Sequence, residues 1–272
     1  MRRLLIGLAL VLCCSQAFAQ FDFSPSGASS AALGGCFSAS YGFWDATQTP
    51  AALPRLTDPA FGLSCRQNYM LRQLSSLYLN VAVPTKRSGA WGANLAYMGN
   101  TNYSEYRLSA AYGLLLSNTL SMGVSFHLLG TQFGDSYYPS QHFFTFSAAL
   151  QYFPSDRLSV GFYLFNSTFT TISSSVDMKV PVSVSAGCRY QLATDFFFLA
   201  DVEKNIYHPV NLHFGLEYFF QQLVYARLGC SSNPASFAFG LGVRQPHYLV
   251  DLAVEDNPVL GLSPQLSVAY IF

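Results

Sequence analysis

The chain has 272 residues, 51% of them hydrophobic and only 10% charged, with 14 Lys and Arg against 14 Asp and Glu. A neutral, sparsely charged chain has no basic footprint for nucleic acid. So low a charge density is also awkward for a water-soluble globule, where about a quarter of residues are charged.

The first nineteen residues carry Arg2 and Arg3, an apolar run from Leu4 to Cys13 and the small-residue end Ala17-Phe18-Ala19. This is the plan of a secretory signal peptide, with cleavage expected before Gln20. A lipoprotein signal ending at Cys13 or Cys14 is disfavoured, because Val11 and Leu12 stand where small residues belong. Removing the signal leaves 12 basic and 14 acidic side chains.

Residues 20–58 show no sustained alternation. They contain Ser24-Pro25-Ser26-Gly27, Ala31-Ala32-Leu33-Gly34-Gly35 and Thr49-Pro50-Ala51-Ala52-Leu53. Such a small-residue segment suits either a plug folded into a barrel or a periplasmic tail.

From Pro59 onward the pattern is period two in segments of roughly ten residues, the length with which a tilted strand crosses a bilayer. In 209–219, Val210, Leu212, Phe214, Leu216 and Tyr218 oppose Asn211, His213, Gly215 and Glu217. The same split separates Leu120, Met122, Val124, Phe126 and Leu128 from Ser121, Gly123, Ser125 and His127. Helical spacing fits neither run.

Fourteen strands are expected, at 60–69, 75–83, 90–98, 103–114, 119–129, 140–153, 157–166, 180–190, 195–203, 209–219, 223–230, 235–244, 247–255 and 263–272. The fold class is therefore all-β, a transmembrane antiparallel barrel over 59–272 preceded by a plug-like segment. A secreted β-sandwich would carry more Lys and Glu on its outer faces. Short turns such as Pro154-Ser155-Asp156 and Gln245-Pro246 alternate with the longer connections 130–139 and 167–179. That asymmetry puts the short turns and both barrel ends of the chain in the periplasm of a bacterial outer membrane.

If the apolar face meets lipid, parity sends Arg66, Glu105, Arg107, Arg189, Asp201, Glu203, Glu217, Arg227, Arg244, Asp251 and Glu255 into the lumen. Glu217 is expected to meet Arg227, Arg244 to meet Asp251, and Arg189 to approach Asp201. Opposite charges side by side offset a desolvation cost of several kcal/mol per ion, so these residues read as braces of the wall. An ion-selective constriction would favour one sign.

The last strand ends in Leu266, Val268, Tyr270 and Phe272. An aromatic-ended strand of this kind resembles the signal by which barrel-assembly machinery recognises its clients. That machinery and outer-membrane lipid are the partners expected for any such chain.

The run Ser29-Ser30-Ala31-Ala32-Leu33-Gly34-Gly35, then Asp45-Ala46, then Thr49-Pro50-Ala51-Ala52-Leu53, resembles the PorV/PorQ group of outer-membrane proteins, relatives of the FadL-type fatty-acid channels. Thr49 stands where that group usually has Asn. The resemblance implies a fourteen-stranded barrel, a plug carrying Gly34, Gly35, Asp45 and Pro50, and a part in type IX secretion with other secretion components and cargo. Short outer loops favour a scaffold or attachment role over a cargo shuttle. A FadL-like channel for hydrophobic compounds is the alternative, and there Pro181 would mark a sideways portal unless it only begins its strand.

No enzyme is expected. A lipid-modifying barrel would need an activated nucleophile, and Ser125 with His127 is the nearest pair, without GxSxG or a visible oxyanion site. Cys36, Cys65, Cys188 and Cys230 are too scattered for a disulfide or a metal cluster, so no cofactor is expected.

Overall fold

The computed structural model describes residues 25–85, 89–134, 140–166, 171–173, 178–206 and 208–272. The signal-peptide reading of 1–19 lies outside the described residues.

The wall is a closed antiparallel barrel of fourteen strands. In chain order they are β1 (Ala60–Gln67), β2 (Ser75–Pro84), β3 (Gly89–Gly99), β4 (Tyr103–Ser117), β5 (Leu120–Phe133), β6 (Gln141–Ser155) and β7 (Leu158–Phe165), followed by β10 (Ser183–Ala193), β11 (Phe196–Asn205), β12 (Asn211–Phe220), β13 (Val224–Ser232), β14 (Ala235–Arg244), β15 (Tyr248–Asn257) and β16 (Gly261–Ile271). Between β7 and β10, the short strands β8 (Thr171–Ser173) and β9 (Met178–Lys179) pair only with each other. β16 closes the ring on β1, with Ala60 opposite Ile271 and Arg66 opposite Gln265. Closure leaves no exposed sheet edge at the seam.

The period-two pattern dictates this wall. Outward side chains such as Trp91, Phe239 and Leu241 are 58–60% exposed, while Asn80, Ser121, Gln151 and Ser267 on inward positions are fully buried. Water would penalise such an apolar outer belt, and a bilayer accepts it. Aromatic side chains gather on the belt at the end that carries the short turns, including Trp91 against Tyr112 and Tyr270 against both Tyr248 and Phe272. Among the described residues no helix is long and apolar enough to cross a membrane.

The expected strands differ from the observed ones mainly in length. β5 runs four residues further than expected, to Phe133, and β6 reaches Ser155. β10 begins at Ser183, not at 180. Pro181 has no N–H to give to a ladder and stands two residues before the strand.

Residues 25–58 lie inside the wall as two short helices, Ala28–Ala32 and Phe43–Ala46, and a 3-10 turn, Pro50–Arg55. Phe43, Trp44 and Leu53 pack onto Ala60, Ala82, Ala90, Ala111 and Ala269 of the wall. Bulk comes from the insert and the wall supplies room, because small inward residues let the insert approach.

Candidate functional site

The insert is seated by inward glycines and by polar wall side chains. A Cβ built on Gly161 would stand 1.9 Å from the Ser38 carbonyl oxygen, and one on Gly229 only 2.0 Å from the Gly34 nitrogen. Gly113 and Gly123 face the Pro50 backbone, Gly62 faces Phe43 and Trp44, and Gly92 faces Leu53. Gly34 and Gly35 have φ of +70° and +87°, a turn open to glycine at no steric cost, and they end the first short helix.

Backbone groups taken out of water must find partners, and the wall provides them. Ser267 Oγ accepts Ala28 N–H at 2.7 Å. Asp201 Oδ2 accepts N–H from Phe37 at 3.0 Å and from Ser38 at 2.9 Å. Gln151 Nε2 donates to the carbonyls of Ser38 and Ser40, Ser159 to that of Ala39, and His213 Nδ1 to that of Gly34. The insert thus makes its polar contacts with β16, β11, β6, β7 and β12 in turn.

Charged lumen residues form pairs that only partly follow the expected ones. Glu217 and Arg227 are direct register partners and join Oε2 to Nε at 2.8 Å. Arg244 does not meet Asp251, which accepts Arg227 Nη1 at 2.6 Å and Trp44 Nε1 at 3.2 Å. Gly242 is the residue opposite Asp251 and has no side chain, so Arg227 reaches over it from β13 to take the carboxylate and leaves Arg244 to the Tyr225 hydroxyl at 3.2 Å. Nor does Arg189 take Asp201. It reaches Glu217 at 3.4 Å and the Tyr41 hydroxyl at 2.7 Å, with its guanidinium 3.9 Å over the Phe197 ring. Asp201 is occupied by the insert's N–H groups.

The remaining charges sit nearer the other end of the barrel. Arg66 joins Glu255 at 2.8 Å and Asn68 Oδ1 at 2.6 Å. Glu203 lies 3.4 Å from His213 Nε2, and Glu105 accepts the Tyr103 hydroxyl. Arg107, half-buried, lies in electrostatic reach of His127 and Tyr163. His127 bonds Ser109 Oγ at 2.7 Å and Ser147 Oγ at 2.8 Å, so its partners sit on the flanking strands and not at Ser125.

Two features carry a ligand-sized or ligand-like environment. The first is a cavity of about 650 Å³ at the end of the barrel where Ala60 and Ile271 lie, lined by Tyr41, Phe43, Trp44 and Asp45 of the insert and by Arg189, Glu217, Arg227 and Asp251 of the wall. That volume is in the range of small-molecule pockets. Asp45 is 7% exposed, and its Oδ1 accepts the Ser30 hydroxyl at 2.6 Å. Burial pushes its carboxyl well above the ordinary range, to about 7, against the pull of Arg227 and Arg189.

The second is apolar and lies where β6 extends past its ladder with β7. β6 pairs with β5 from Gln141 onward, and its ladder to β7 starts at Ser147. Inside this stretch lies an apolar cluster of Leu129, Phe143, Tyr163, Phe165 and Val180, with Phe37 of the insert packed against it. Thr145 Oγ1 donates to Asn166 Oδ1 at 2.7 Å, and Asn166 Nδ2 donates to the Val180 carbonyl at 2.7 Å. These bonds tie the connection after β7 to β6.

Sequence reasoning did not single out Trp44, Tyr41, Gln151 or His213 as contacts between insert and wall. One signal was present in the chain: glycine recurs on inward positions of several strands, at 113, 123, 161, 187, 215, 229 and 240. A lumen filled only by water has no need of missing Cβ atoms.

No protein-family model matches the chain, and no curated protein matches it. Solved structures do. A monoaromatic hydrocarbon channel, the TodX deltaS2S3 mutant, overlays with TM-score 0.72 at 13% identity, over 92% of this chain and 99% of its own. The CymD monoaromatic hydrocarbon channel overlays at 0.72 and 12% identity, over 93% and 99%. A Pseudomonas aeruginosa FadL homologue gives 0.64 at 11%, over 91% and 98%. At such low identity what is shared is the fold: this chain is a closed fourteen-stranded barrel that overlays on those of these channels.

Proposed function

We propose that the chain is an outer-membrane channel that admits small apolar compounds. The observation that carries this reading is the apolar cluster of Leu129, Phe143, Tyr163, Phe165 and Val180 beside the part of β6 that extends past its ladder with β7. An apolar solute dissolved in the bilayer would leave lipid for a comparable environment without crossing water, so the step costs little. Overlay on two monoaromatic hydrocarbon channels along nearly their whole length supports the same reading. The cluster lies beside the connection that carries Pro181, the residue weighed above as a portal or as the start of its strand.

The apolar belt and its aromatic rim support integral placement in the outer membrane, with the short turns and both ends of the wall toward the periplasm. A secretion role is carried only by the resemblance over residues 29–53. Gly34, Gly35 and Pro50 seat the insert against the wall, and Asp45 bonds Ser30 within it, which accounts for that motif without cargo.

The test is uptake of labelled toluene by cells that lack their own hydrocarbon channels and express this chain. Uptake several-fold above an empty-vector control is expected. Unchanged uptake, with the folded barrel demonstrated in the outer membrane, would reject the channel. Loss of surface cargo on deleting the gene would restore the secretion reading.

A further inference from the structure

The charges around the 650 Å³ cavity balance in number, with Asp45, Asp58, Glu217 and Asp251 against Arg55, Arg189, Arg227 and Arg244, but they do not all pair. Arg227 is shared between Glu217 and Asp251, and Arg189 is spent on Glu217 and the Tyr41 hydroxyl. Asp45 is left with the neutral Ser30 hydroxyl and forms no ion pair among the described residues. At the rim, Arg55 donates to the Asn118 carbonyl and stacks on Phe153, Arg244 turns to Tyr225, and Asp58 accepts the Thr57 hydroxyl.

A carboxyl more than nine-tenths buried, lining a cavity and without an ion-pair partner, is costly in its ionised form unless a cation comes to it. The surroundings specify what kind of cation fits. Aromatic rings of Tyr41, Phe43, Trp44, Phe219 and Tyr225 line the same space, with Phe219 and Tyr225 stacked at 4.1 Å. Ring faces attract cations and bury apolar bodies at once.

We propose that this cavity binds a small organic cation, an ammonium group on an apolar body, with Asp45 as its counter-ion. The site lies at the periplasm-facing end proposed above. It does not depend on the channel reading, which concerns the apolar cluster beside β6 and β7.

The sequence has two tryptophans, Trp44 and Trp91. In a W91F variant purified in a maltoside detergent, Trp44 is the only indole reporter, and it lines the cavity. Phenethylammonium is titrated against its neutral and anionic analogues, 2-phenylethanol and phenylacetate, at constant ionic strength. Saturable quenching by phenethylammonium, at least tenfold tighter than by either analogue, is expected. D45N removes that preference and D45E retains it, with heat-modifiable gel mobility confirming a folded barrel in each. Affinity for the cation rises from pH 5 to pH 8 in the parent and stays flat in D45N, because Asp45, facing Glu217, Arg227 and Arg189, is the group that must ionise. Equal binding of all three probes, preference for phenylacetate, no saturable quenching, or a preference that survives in D45N would each overturn the proposal.

Discussion

Asp201 of β11 accepts the backbone N–H of Ser38 at 2.9 Å, joining residues 163 positions apart. The same oxygen takes Phe37 N–H, so one wall carboxylate fixes the middle of the insert. Hydrogen bonds to a charged group are each worth roughly 1.5–3 kcal/mol. D201A is therefore expected to free this stretch, and amide exchange at Phe37 and Ser38 should accelerate at least tenfold while the wall strands stay protected. Unchanged exchange at both amides would show that the seat does not rest on this residue.

Gly161 tests the steric half of the seat. Valine there drives atoms into the Ser38 carbonyl, 1.9 Å from the first added carbon. Overpacking of this kind costs about 1–3 kcal/mol. G161V should shift the insert, lower the urea midpoint and raise single-channel conductance in planar bilayers. A parent-like midpoint together with parent-like conductance would refute the packing argument.

Arg227 neutralises two buried carboxylates, Glu217 at 2.8 Å and Asp251 at 2.6 Å. Taking away one partner of a buried ion pair costs about 3–5 kcal/mol, whereas replacing the whole cluster by neutral groups is far cheaper. R227M alone should be strongly destabilised in denaturant titration, and R227M/E217Q/D251N should recover most of the loss. If the triple variant is no more stable than the single, the three groups are not a unit.

The Asp45 carboxyl is raised from 3.8 to about 7 by burial. The folded insert thus holds the proton more tightly than the unfolded chain does, and this group's contribution is full below pH 3.8. It is lost as pH climbs through the window up to about 7 and is level above it, with a slope of at most about 1.4 kcal/mol per pH unit. Release of the insert, followed by Trp44 fluorescence in W91F, should become easier from pH 4 to pH 7 in the parent relative to D45N. Parallel pH profiles in the two proteins would contradict the assignment.

Phe272 is 69% exposed, and its N–H donates to the Pro59 carbonyl at 3.0 Å across the closing seam. The side chain stabilises little, since an exposed substitution is usually within about 0.5 kcal/mol of neutral. Phe272→Ala should leave the purified barrel's midpoint unchanged yet reduce the assembled barrel recovered from outer membranes several-fold, because Tyr270 and Phe272 are proposed as the assembly signal. Normal recovery would remove that role.

The chain's own pattern determined the wall. Parity is a local property: residues two apart share a face, so His213, Glu217 and Arg227 could be sent inward, and Phe214 and Leu228 outward, from the order of residues alone. Register across one tight turn is nearly local too, which is why Glu217 and Arg227 were paired correctly. Tertiary structure decided the rest. Asp251 meets Arg227 and Trp44 rather than Arg244, and Asp201 holds Ser38 rather than Arg189, because contacts across a lumen depend on closure and on what fills it. Alternation fixes the face of each residue, but its distance to a residue on another strand exists only once the ring has closed around the insert.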